Sequence, residues 1–113
     1  MISLYESSQK TIKVPVFVQH LRAVFGVNGL PVFGTCSFHR KLLKGSFRIV
    51  VKASNQIAFF QEDRLLETIA TTEIDLISQQ QTPKGLQIKI SCIPSNKDAI
   101  EIVGIVQSKD YSL

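Results

Sequence analysis

The last third of the chain constrains the fold most. Residues 73–80, 86–93 and 99–107 form three apolar-rich runs joined by two short polar connectors, Thr-Pro-Lys-Gly at 82–85 and Pro-Ser-Asn-Lys-Asp at 94–98. In the second run Leu86, Ile88, Ile90 and Cys92 alternate with Gln87, Lys89 and Ser91, the period of a strand with one buried and one wet face. Connectors so short, and supplied with Pro, Gly and Asn, join antiparallel neighbours. The third run is apolar on both faces from Ile100 to Val106, which places it inside a sheet or beneath a covering element. The expectation is a C-terminal meander of three strands.

Upstream the periods are mixed. Thr11–Val18 alternates with strand period, and from Pro15 onward a helix reads almost as well, so residues 11–25 leave strand and helix open. The favoured reading is a short strand to Val14 and a helix over 15–25, with Pro15 in its first turn and Phe17, Val18, Leu21, Val24 and Phe25 as its apolar stripe, ended by Gly26. Pro31–Phe38 is apolar and carries Gly34, the pattern of an irregular or edge strand. His39–Gly45 reads as a basic loop or hairpin tip, and Ser46–Ala53 as a strand with Phe47, Ile49 and Val51 on one face. Asp63–Thr71 reads as a second short helix, with Leu65, Leu66 and Ile69 as its stripe and acids in its first turn. The expected class is therefore α+β: an antiparallel sheet with two short helices packed on one face. At 113 residues, one compact domain over 1–113 is expected, with 1–9 as a loose polar lead.

Charge is unevenly shared. Residues 1–54 carry eight Lys and Arg against Glu6 alone, a balance of +7, while residues 55–113 stand at −3. From Ser7 to Gln61 there is no carboxylate side chain. A half-domain field of one sign recruits an anionic partner. Arg40, Lys41 and Lys44 on the loop, with Arg48 and Lys52 on one strand face, would form a basic strip, and Phe38 stands at its edge as a stacking group. Lys44-Gly-Ser-Phe47-Arg-Ile-Val-Val resembles the strand signature of RRM domains in outline only. Ser46 takes the first aromatic slot, and Arg48 or Ile49 replaces the second platform, so the assignment is rejected. Gly26-Val-Asn-Gly29 resembles the G-x-x-G loop of KH domains, but Leu30-Pro31 follows where a helix should start, and this too is rejected.

Chemistry finds little support. Cys36 and His39 have C-x-x-H spacing, and His20 with Cys92 would complete a zinc ligand set, but the second pair is not clustered and a regular strand points positions 36 and 39 to opposite faces. The two thiols read as reduced and core-forming. No phosphate-cradling glycine loop is present, and the acidic pairs Glu62/Asp63 and Glu73/Asp75 suit a helix start and a strand face. No catalytic residue, metal or cofactor is expected. No apolar run approaches the ~20 residues of a membrane span, and Glu6–Gln9 stand where a signal peptide carries its apolar stretch, so a cytoplasmic protein without a membrane partner is expected. The function expected is a non-catalytic module whose basic half engages nucleic acid without sequence readout. The alternative is an assembly subunit that meets an acidic protein, or a second copy, through the apolar Pro31–Phe38 strand.

Overall fold

The computed structural model describes residues 9–53, 55–94, 98–107, 109 and 111. Apart from Gln9, the expected polar lead lies outside these residues, as do positions 95–97 of the second connector. Among the described residues eight strands form one antiparallel sheet: β1 (Lys10–Thr11), β2 (Leu30–Phe38), β3 (Lys41–Ala53), β4 (Gln56–Gln61), β5 (Arg64–Ala70), β6 (Ile74–Thr82), β7 (Gly85–Cys92) and β8 (Ile100–Val106). Their order is β1-β6-β7-β8-β2-β3-β4-β5. The α-helix α1 (Val14–Val24) follows β1.

This corrects the expected architecture. The sheet dominates, the C-terminal meander is only part of it, and the second helix is strand β5, paired with β4. The reason is a β-bulge. Phe59 faces Glu67 while Phe60 faces Leu65, so Leu66 is the extra residue. The bulge breaks strict alternation and lets Leu66 and Ile69, three apart, both pack on the core, the spacing that resembles a helical stripe. A seven-residue segment also gains more from a ladder with β4 than from a helix too short to hold itself.

β2 is not an edge strand either: β3 flanks it on one side and β8 on the other. Pro31 is accommodated because its pair across the β8 side would be Gln107, just past the end of β8. There the Gln107 N–H donates to the Pro31 carbonyl, and the bond lost to the proline ring is the return one. With both sides paired, β2 has no free edge for a partner strand.

The inner face of the sheet carries the core. Leu30, Val32 and Cys36 on β2, Phe47 and Ile49 on β3, Phe59 on β4, Ile88, Ile90 and Cys92 on β7, and Ile102 on β8 join Phe17, Val18 and Leu21 of α1 in one buried cluster. The helix has Pro15 in its first turn and ends where the Phe25 N–H donates to Leu21 O before Gly26 takes φ 53°. It has no side-chain N-cap, so burial of that apolar stripe is what holds it. Tyr111 packs edge-on to His20 at 5.4 Å and ties the end of the chain to the helix.

The sheet must coil strongly. β5 and β6 lie six neighbour steps apart, yet only Thr71–Glu73 joins them. The path from Ala70 to Ile74 spans at most roughly 14 Å. At about 4.8 Å per step a merely twisted sheet would hold the two strands roughly 29 Å apart, so the sheet must also curl to bring the end of β5 to the start of β6. The link is bonded to both sides: the Thr71 N–H donates to Asn55 O, and the Ile93 N–H donates to Glu73 O. The sheet thus wraps its inner face around α1.

Candidate functional site

Strand parity decides where the cations go. On β3 the inward positions are Phe47, Ile49 and Val51, so Lys44, Ser46, Arg48, Val50 and Lys52 belong to the outer face, with a local irregularity at Lys52. Lys44, Arg48 and Lys52 form a row about 26 Å long on this one strand. Aromatic side chains flank the row. On β4, Phe60 lies opposite Arg48 in register, and both the Arg48 guanidinium and the Lys52 ammonium stand 5.4 Å from its ring centroid. On β2, Phe33 lies opposite Ser46, diagonal to Lys44 and Arg48, and is 52% exposed.

Arg48 is the fixed member of the row. Its guanidinium donates to Asn28 O and to Glu62 O, both at 3.3 Å, and lies 3.7 Å from the Asp63 carboxylate. Asp63 is fully solvated, so that ion pair adds little and leaves the arginine available to a stronger anion. Lys44 and Lys52 make no ion pair among the described residues. Residues 30–61, which form β2, β3, β4 and their turns, contain five Lys and Arg and no Asp or Glu. Charge balance returns at β7 and β8, where Lys89 meets Glu101 at 3.6 Å.

The expected strip therefore splits. Lys44, Arg48 and Lys52 share the outer face. Arg40 sits on the two-residue tip of the β2–β3 hairpin with its guanidinium 3.4 Å from Asp98, and Lys41 and Phe38 are paired on the opposite parity, towards the inner side. The basic loop expected over 39–45 is a turn of His39 and Arg40 only; Lys41 onward is already β3. Phe33 and Phe60, absent from the expected strip, are the aromatic groups beside the row. The signal that could have found them is parity with the lysines, once β2 and β4 are known to flank β3. Phe47, the aromatic in the RRM-like run, is fully buried and offers no stacking surface.

The thiols belong to the core. Cys36 pairs with Ile102 and Cys92 with Ile100, so the two cysteines flank β8 from either side. Two strand spacings, about 9–10 Å, exceed the reach of a disulfide. Burial pushes the Cys36 thiol up to about 11. Burial, then the charges of Cys36, Glu73 and Asp75, push Cys92 up to about 12. Both thiols are expected to resist a thiol-specific disulfide reagent near pH 8 until the protein unfolds, when both react; rapid labelling of the folded chain would contradict this packing. Among the described residues no three His, Cys, Asp or Glu side chains gather as a metal site, and no helix is long and apolar enough to cross a membrane. No protein-family model, curated protein or solved structure matches the chain.

Proposed function

We propose that this protein is a non-catalytic, cytoplasmic module that binds single-stranded nucleic acid on the outer face of β2, β3 and β4, without reading sequence. One observation carries the reading: a row of three cations, flanked by Phe33 and Phe60, on a stretch of sheet without a carboxylate of its own. Lys44, Arg48 and Lys52 neutralise three backbone phosphates along the row, while an unpaired base stacks on the exposed Phe33 ring, an interaction indifferent to base identity. Single strands are favoured over duplex because only unpaired bases present a ring face to an exposed aromatic side chain.

The test is fluorescence anisotropy of a labelled oligo-dT across a salt series. Micromolar binding is expected at about 50 mM salt, with a slope of about −2 for log affinity against log salt, the value for three neutralised phosphates. Lys44→Gln with Lys52→Gln should lower affinity at least tenfold and bring the slope to about −0.7. Phe33→Ala should weaken binding by ~1–3 kcal/mol with the slope unchanged. Absence of binding at low salt, or a double variant that binds as the parent does, would overturn the reading.

A further inference from the structure

A cleft of about 470 Å³ opens between the tips of the β2–β3 and β4–β5 hairpins, away from the outer-face row. Phe38, Leu43, Leu65 and Leu66 make its apolar wall, and His39, Lys41 and Arg64 its polar part. Among the described residues no acidic side chain lines it. The volume falls in the range of small-molecule sites, and the combination of leucines with three basic groups is not one that a core or a solvated surface requires.

The two tips supply an independent observation. His39 and Arg40 take φ 50° and 62°, and Glu62 on the facing tip takes φ 55°. Two successive positive φ values are those of a type I′ turn, where Asn-Gly is the favoured pair. Here a histidine and an arginine occupy the strained positions instead, and such strain persists where side chains serve a purpose. His39 in turn packs against Phe38, with ring centroids 4.1 Å apart and planes tilted by 54°. The tip thus holds its histidine at the mouth of the cleft.

We infer that this cleft binds a free single-chain amphiphile, a short fatty carboxylate, with its head group between Lys41 and Arg64 and its chain along Leu43, Leu65 and Leu66. Charge complementarity selects an anionic head, since Lys41 and Arg64, and no acid among the described residues, face the space. The leucine-rich wall selects a flexible aliphatic chain over a flat polar ring. A cleft between two hairpin tips admits one short chain and does not present the broad face that a bilayer needs, so the free acid is the occupant.

The experiment is a titration of the full chain with octanoate, followed by amide NMR shifts, alongside acetate and 1-octanol. Octanoate should shift residues 38–43 and 64–66, and acetate and 1-octanol should each bind at least tenfold more weakly. Lys41→Gln with Arg64→Gln should weaken octanoate at least tenfold and leave oligo-dT affinity unchanged; Lys44→Gln with Lys52→Gln should do the reverse, so the two sites fail or stand separately. His39→Asn with Arg40→Gly should raise the thermal midpoint while weakening octanoate. The inference falls if octanoate shifts nothing at millimolar concentration, if its shifts map elsewhere, or if 1-octanol binds equally well. It also falls if the protein sediments with anionic phosphatidylglycerol vesicles yet ignores octanoate.

Discussion

Gly34→Ala is expected to destabilise the fold by about 3 kcal/mol or more, and Gly104→Ala by a similar amount, measured as the shift in denaturant midpoint at constant slope. The two glycines face each other across the β2–β8 ladder. A methyl group at Gly34 would collide with the Val103 carbonyl oxygen and come within 2.5 Å of the Gly104 Cα; at Gly104 it would lie 2.5 Å from the Phe33 carbonyl oxygen. These obstacles are backbone, so no side-chain rotation relieves them. Gly45 continues the same line on β3, opposite Gly34, which leaves three adjacent strands bare of side chains along one row of the inner face. A sheet stripped along such a row bends readily toward that face, as the coil around α1 demands. Near-parental stability of either variant would show that the strands do not approach as closely as described.

Alkaline pH should weaken the protein steeply. The buried Cys36 and Cys92 thiols hold their protons up to about 11 and about 12, against an ordinary value near 9. Burial raises the Tyr111 hydroxyl above its ordinary value as well. A group whose folded value is raised contributes fully below its unfolded value, and that contribution is lost as pH rises through the folded one. The thiols therefore leave stability level up to about pH 9 and remove up to ~1.4 kcal/mol each per further pH unit, until their folded values are reached. Tyr111 joins the loss above about pH 10. Urea midpoints at pH 8, 9.5 and 10.5 check this. Cys36→Ala with Cys92→Ala should lower stability at pH 8 through the lost packing yet flatten the decline above pH 9; an equally steep decline in that variant would remove the thiols as its cause.

How much of this was legible in the sequence depends on how local each signal is. α1 was legible because Pro15, the Phe17–Leu21 stripe and Gly26 all lie within one segment. The runs that become β6, β7 and β8 were legible because they are rich in apolar residues and bounded by short polar connectors. β5 was not, because the bulge at Leu66 copies helical spacing and only pairing with β4 exposes it. Pro31 and Gly34 suggested an edge, whereas each fits a central strand for a reason outside its own segment: Gln107 at the end of β8, and Gly104 across the ladder. The same holds for the site. Lys44, Arg48 and Lys52 could be grouped by alternation along one strand, but Phe33 and Phe60 join them only through registers with β2 and β4. Phe38 and Lys41 were drawn to the wrong cluster because the turn is two residues long, which sends them to the other parity.

The β2–β8 ladder has a consequence for how the molecule is made. β2–β5 and β6–β8 are each built from hairpins between neighbours in sequence, and such hairpins close in microseconds. The ladder that joins these two meanders pairs residues 64 to 74 positions apart, from Ser37 with Glu101 to Val32 with Val106. Until it closes, neither half has the opposite wall of its core. Folding is therefore governed by the search of β8 for β2, a long-range event on the slow side of the range for domains of this size. The Gly34–Gly104 pair then acts as a register key in time as well as space: β8 can seat closely against β2 only where two residues without side chains meet.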